Sequence, residues 1–339
     1  MKLQENYASK FDTMFKIKAL TTLVFLLSYA TYAQYTDIIN SNRPGKSQSA
    51  FAVGKNVFQL ETGIYGIYEN HEIYVRETFG VGSDLNLRYG TLLEQLEFNV
   101  DLQYQYDQHE TILGSEIRSN FKQIIIGAKY LVYDPYKYYK GKGNIKSWKT
   151  NQKFNWRDLI PAVSAYAGAN LNFDSPYTFK TDPKISPRLV LITQNQLPAN
   201  FVVVANIIAD RISTDFPSYG YIITVTKSFN KKWSGFLENQ GYNSDFYSDA
   251  IIRGGAAYLF NPNFQVDASV TSNLKNTPSI YYTGIGLSWR YDNNHEDTWV
   301  KFKNKKKKRK KEKGKPAIID LANPVPAGDA PAKQEEKKN

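Results

Sequence analysis

The sequence predicts an all-β fold: a single-chain antiparallel transmembrane β-barrel of about twelve strands, followed by a disordered basic C-terminal tail. Three observations carry that expectation. Apolar and polar residues alternate over strand-length segments. In "LEFNVDLQYQYD", Leu96 to Asp107, one face holds Leu, Phe, Val, Leu, Tyr and Tyr, and the other Glu, Asn, Asp, Gln, Gln and Asp. Short turns and longer polar connections take turns along the chain, as they do when hairpins are stitched tightly on one side of a membrane and loosely on the other. Aromatic residues fall at the ends of the apolar faces, where a membrane meets water.

Composition agrees with strands and removes several alternatives. The 339 residues include 25 Tyr and 19 Phe against 2 Met, and Tyr and Phe, with Val, Ile and Thr, are the residues of pleated, half-buried segments. Cysteine is absent, which excludes disulfides, thiolate metal sites and thiol catalysis. The formal net charge of +11 is local, because "KFKNKKKKRKKEKGK", Lys301 to Lys315, holds eleven Lys or Arg and one Glu. The stretch between Gln34 and Val300 is close to neutral, so the folded part has no nucleic-acid footprint.

Residues 1–33 read as an N-terminal extension and secretory signal peptide. "MFKIKALTTLVFLLSYATYAQ" starts at Met14 with two lysines, runs apolar from Ala19 to Ala30, and closes on Thr31-Tyr32-Ala33, with small residues, Thr31 and Ala33, at the positions a signal peptidase reads. That run is about a dozen residues where a spanning helix needs about 20, so Gln34 is expected to begin the mature chain. Residues 34–56 are expected to be a periplasmic N-terminal lead. No other run is long enough to span as a helix, so any membrane crossing is by strands.

Residues 57–291 form the expected barrel. Its strands are expected near Val57–Tyr68, Asp84–Gly90, Gln95–Asp107, Asn120–Tyr133, Leu159–Phe173, Pro187–Asn195, Phe201–Asp210, Tyr219–Phe229, Trp233–Gly241, Ala250–Phe260, Phe264–Thr271 and Ile280–Tyr291. Tight turns lie at Thr91, Gln196, Asn230 and Asn261, and longer polar connections such as "DQHETILGSEIRSN" and "GYNSDFYSD" lie between. "HEIYVRETFGVGSD" fits either as an outer extension of the first hairpin or as a further strand. An even count brings both termini to the periplasm, with a periplasmic insertion at 134–157. On the apolar faces, Phe229, Trp233, Tyr258, Phe260, Phe264, Trp289 and Tyr291 cluster at the short-turn ends, and Tyr104, Tyr106, Tyr221 and Tyr281 at the others. A soluble sandwich places aromatics mid-strand at least as often, so the distribution favours a barrel in the outer membrane, in contact with its lipid.

The opposite face lines the expected lumen. Its charged members are Glu61, Arg88, Glu97, Asp101, Lys129, Glu238, Arg253, Asp267 and Arg290. They either pair with one another and fill the interior, because an unpaired buried charge costs several kcal/mol, or line a narrow path for small solutes. Barrels of about eight strands are filled and those of about sixteen to eighteen are open, so about twelve allows either.

Nothing points to catalysis. His71, His109 and His295 fall in or beside loops without metal-ligand spacing. "GKGNIKS" at Gly141 lacks the spacing of a phosphate loop, and no nucleophile elbow exists. No catalytic residue, metal or cofactor is expected, and no nucleic-acid partner. A second class of function rests on the ends. Residues 292–339 are a disordered Lys-rich periplasmic tail, whose Lys305, Lys306, Lys307, Lys308, Arg309, Lys310 and Lys311, with Tyr138, Tyr139 and Trp148 of the insertion, are candidates for docking a protein partner, cell-wall polymer or anionic leaflet.

"NSNRPGKSQSAFAVGKNVFQLETGIY", "LRYGTLLEQLEFNV" and "YYTGIGLSWRYD" together resemble the outer-membrane barrels of the phenol meta-degradation type. The positions that carry the resemblance are Arg43, Pro44, Glu61, Gly63, Arg88, Tyr89, Gly90, Gly284, Gly286 and Arg290, in order over about residues 37 to 291. Asn42 stands where that family tends to have Asp. The resemblance implies an outer-membrane barrel and passive passage of a small, hydrophobic or aromatic solute. The rival expectation is a structural or assembly subunit held to a partner by the insertion and tail.

Overall fold

The computed structural model describes residues 38–138, 156–173, 175–178, 182–245 and 248–292. Within them the chain forms twelve antiparallel strands: β1 (Phe58–His71), β2 (Arg76–Gly90), β3 (Leu96–Thr111), β4 (Gly114–Tyr133), β5 (Ala162–Leu171), β6 (Ile185–Leu197), β7 (Phe201–Asp210), β8 (Ser218–Ser228), β9 (Trp233–Ser244), β10 (Ser248–Asn261), β11 (Phe264–Asn273) and β12 (Ser279–Tyr291). A one-turn helix, α1 (Pro135–Tyr138), follows β4. Each strand pairs with its neighbours in sequence, and β12 returns to β1, so the sheet closes into a barrel. The seam runs from Phe58 opposite Tyr291 to Asn70 opposite Ser279. The even count places both ends of the barrel at one rim, beside the short turns after β2, β6, β8 and β10.

Strand alternation fixes which way each side chain faces. Gln59, Glu61, Arg88, Glu97 and Lys129 point inward and are at most 1% exposed, while Ile64, Leu237, Val270 and Ile285 on the outer face are 58–62% exposed. Soluble proteins rarely leave an apolar belt of this extent in water. It is the surface of a membrane barrel, oily outside and polar within. The rims carry the aromatic girdles: Trp233, Tyr258, Phe260 and Phe264 form a row with ring centres 4.8, 4.8 and 5.7 Å apart. At the other rim Tyr104 and Phe121 meet edge to face at 5.4 Å.

Two expectations need correction. Two of the long polar connections, those between β3 and β4 and between β9 and β10, are mostly strand. β3 runs to Thr111 and β4 starts at Gly114, so Ile112 and Leu113 alone turn the chain. "HEIYVRETFGVGSD" is likewise the outer extension of the first hairpin, with His71 opposite Arg76. Spanning takes about 9–11 residues of a tilted strand, so the 20 residues of β4 stand well clear of the membrane. There water wets both faces, and the ladder continues without the alternation that marks a spanning segment.

The larger correction concerns the N-terminal lead. Residues 40–53, expected outside the barrel, lie inside it, and with the adjoining chain they bond to side chains of every strand except β10. An irregular segment can be buried only where its backbone groups find partners. Here inward-facing carboxylates, amides and an ammonium supply them.

Candidate functional site

Residues 40–53 form a plug in the lumen, and it is held at three places. The first is an acid–base ladder on β1 to β4, whose register sets Arg88 between Glu61 and Glu97. Arg88 pairs with Glu61 at 3.0 Å and Glu97 at 2.8 Å, and Lys129 pairs with Glu97 at 3.1 Å. The surplus bonding capacity of this ladder goes to the plug. Arg88 donates to the carbonyl of Asn40 at 2.7 Å, and Lys129 to those of Ser49 and Phe51 at 2.9 and 3.1 Å. In return the amides of Asn42 and Val53 donate to Glu61 and Glu97 at 3.2 and 2.9 Å. These charges are buried, and they are tolerable because each is paired with an opposite charge and bonded to the plug.

The second place is Arg43, which reaches from the plug to the wall. Its Nη1 donates to both carboxylate oxygens of Asp84, at 2.7 and 2.8 Å, and its Nε and Nη2 donate to the two oxygens of Asp267, each at 3.2 Å. It lies flat on the seam between β1 and β12, where Gly63 stands opposite Gly286. A Cβ at Gly63 would sit 2.3 Å from the Arg43 Nη2, and one at Gly286 2.0 Å. Two facing glycines therefore make the slot that the guanidinium fills. Gly286→Val is expected to eject Arg43 and raise the frequency of channel openings in bilayer recordings. Unchanged recordings would show that the slot does not hold the plug.

The third place is Glu238 on β9. Its carboxylate accepts from the amides of Lys46 and Ser47, the closest at 2.9 Å, and from Thr224 at 2.7 Å, and it pairs with Arg253, which in turn donates to Thr271 at 3.0 Å. Across the lumen the plug's Ala50 and Phe51 enter a small apolar core with Ile125, Leu131, Tyr166 and Ile192. Tyr136 of α1 packs against Phe51 at 6.2 Å, and its hydroxyl accepts from the Gln196 amide at 2.7 Å. Burial raises the pKa of that hydroxyl, which keeps it neutral.

The plug leaves two cavities in series. The outer one, about 320 Å³, includes Asp84, Asp101, Lys122, Arg188 and Tyr282 in its wall; the inner one, about 640 Å³, includes Val202, Val204, Phe236 and Leu259. Both are bounded by Asn42, Arg43, Pro44 and Gly45, so the plug segment leaning on Glu238 is what parts them. At the outer mouth Tyr177, from the β5–β6 connection, donates to the carbonyls of Gln105 and Arg118, each at 3.2 Å, and lies under the Arg118 guanidinium at 5.2 Å. Burial and then Asp107 push its pKa upward.

All nine residues expected to line the lumen face inward. Glu61, Arg88, Glu97 and Lys129 come together as one ladder and Glu238 with Arg253 as a pair, while Asp267 holds Arg43. Asp101 lines the outer cavity, where it faces Lys46 of the plug and Arg188. Arg290 sits apart at the rim with Asp292 at 3.2 Å and Asn263 at 2.9 Å. Of the expected docking residues, Tyr138 ends α1. Tyr139, Trp148 and Lys305 to Lys311 lie outside the described residues. Sequence reasoning missed Arg43, Lys46 and Asp84 as lumen groups. A signal for the plug existed: the inner faces of β4 to β8 carry Ile125, Leu131, Val190, Ile192, Val204 and Ile222, too apolar for an interior filled with water.

Comparison with solved structures finds barrels at low identity. An outer membrane channel from Pseudomonas putida F1 is 10% identical with a TM-score of 0.46, covering 75% of this chain and all of that one. The translocator domain of the autotransporter NalP from Neisseria meningitidis is 8% identical with a TM-score of 0.43, covering 84% and 98%. The CymD monoaromatic hydrocarbon channel is 10% identical with a TM-score of 0.37, covering 71% and 90%. No curated relative matches the chain. A family model described as "Putative MetA-pathway of phenol degradation" matches residues 41–291, a span that begins at the plug and ends on the last strand, and the chain belongs to that family.

Proposed function

We propose that this barrel is an outer-membrane channel that passes small solutes passively, with residues 40–53 setting the width of the path. The observation that carries this reading is the pair of cavities in series, parted by a short irregular segment seated on Glu238 rather than by a solid core. Passage then requires movement of a few residues of plug and none of the wall. Solute size follows from the cavities, which suit a single ring or a short chain. The wall of the inner cavity, with Val202, Val204, Phe236 and Leu259, suits an apolar or aromatic body. The rival role, a subunit docked through the insertion and tail, draws no support from the described residues.

The test is single-channel recording in planar bilayers, with liposome swelling alongside. The native protein is expected to show brief, low-conductance openings. Glu238→Ala removes the acceptor for the amides of Lys46 and Ser47 and is expected to lengthen them. A barrel that stays sealed to ions and small solutes in both forms contradicts passage.

A further inference from the structure

The outer cavity contains a cation that, among the described residues, is in direct contact with no carboxylate. The β3–β4 register shifts between Gln103 and Tyr104, so that Gln123 faces Gln103 and Phe121 faces Tyr104, and Lys122 is the extra residue of a β-bulge. Such bulges re-aim a side chain and recur beside functional sites. This one turns Lys122 into the lumen, where its Nζ donates to Gln105 Oε1 at 3.0 Å and lies 5.7 Å from the centre of the Tyr282 ring.

Each of the other cations of the cavity wall has an ion-pair partner, and Arg43 has a second in Asp267. Arg43 and Lys46 share Asp84, at 2.7 and 2.8 Å, Arg188 pairs with Asp210 at 3.2 Å, and Arg253 pairs with Glu238. The carboxylates that face Lys122 bond to other groups: Glu69 accepts from the neutral Tyr282 hydroxyl and acts on the ammonium only through space, and Asp107 is held by Arg118 at 2.8 Å and Gln105 at 2.6 Å. Asp101, bonded to Asn86, faces Lys46 and Arg188. Among the described residues Lys122 forms no ion pair, and a lone ammonium away from bulk water is costly unless something answers its charge.

We propose that the outer cavity is a binding site for a small organic monoanion with a ring-sized body, its charge against Lys122. Tyr65 and Tyr282, edge to face at 6.0 Å, offer rings on one side, and Ile125 and Ile222 offer apolar surface. At about 320 Å³ the space lies at the small end of ligand pockets, which begin near about 300 Å³. An aromatic carboxylate satisfies each of these demands. This assignment rests on the outer cavity being part of the solute path and names the class of solute it selects.

The test is calorimetric titration of the detergent-purified full chain with benzoate, benzylamine and benzyl alcohol. Benzoate is expected to bind more tightly than the other two. Lys122→Met is expected to weaken benzoate by about tenfold or more, the worth of a charge-assisted bond, and Lys122→Arg to restore most of it. Circular dichroism and heat-modified gel mobility check that both variants fold. Absence of benzoate binding, equal binding of benzylamine, or undiminished binding by Lys122→Met overturns the assignment. A barrel that conducts without binding benzoate leaves passage standing and removes the site. One that binds benzoate but stays sealed does the reverse.

Discussion

Deletion of residues 40–53 is expected to convert a nearly closed barrel into a steadily open pore, with a single-channel conductance several times that of the native protein. The plug fills the space between the ladder on β1 to β4 and the Glu238–Arg253 pair. Its removal returns the ladder's charges to water, so the deletion costs them no partner that water cannot replace. The wall itself stands on ladder hydrogen bonds and the outer apolar belt, which the deletion leaves intact, and the barrel is expected still to fold into detergent or lipid. A deletion variant that conducts no better than the native chain would mean that the lumen is shut by something else.

Arg88→Met is expected to cause the largest loss of stability of any single substitution in the lumen. Arg88 is fully buried, and it pairs with both Glu61 and Glu97. Its removal leaves Glu97 with Lys129 as its one ion-pair partner among the described residues and Glu61 with neutral donors. Breaking a buried ion pair from one side costs about 3–5 kcal/mol because the remaining charge is stranded. The denaturant midpoint of protein refolded into liposomes should fall accordingly. Arg188→Gln is the control, because Arg188 and Asp210 keep 17% and 22% side-chain exposure and so belong with wetter pairs, worth about 0–1 kcal/mol. Equal losses from the two substitutions would contradict the distinction between a dry ladder and a wet pair.

Much of the wall was legible in the chain, for a physical reason. A membrane outside and a polar interior force every spanning strand to alternate, so the inward side of residues as far apart as Glu61 and Asp267 follows from parity alone. β7 comes out at Phe201–Asp210, as expected, because a tight turn and an Asp bound it on the two sides. β4 begins at Gly114 rather than Asn120, because beyond the membrane both faces are wet and parity carries no signal. The plug was illegible for a different reason. "NSNRPGKSQSAFAVG" has no period, since its backbone is satisfied by side chains of distant strands and not by a ladder of its own. What could be read was a set of residues without a reason to be together. Arg43, Gly63 and Gly286, matched one by one to a family pattern, turn out to be a guanidinium and the two halves of its slot.

Disulfide trapping between plug and wall tests the position of the N-terminal segment most directly. The chain has no cysteine, so a Ser47→Cys, Thr224→Cys double variant has a clean background, and the two native hydroxyls are 2.7 Å apart. In the membrane-inserted protein, mild oxidation is expected to cross-link these positions nearly completely, with channel openings suppressed until a reductant is added. Free thiols at both positions after oxidation, each open to a water-soluble reagent, would show that residues 40–53 lie outside the lumen.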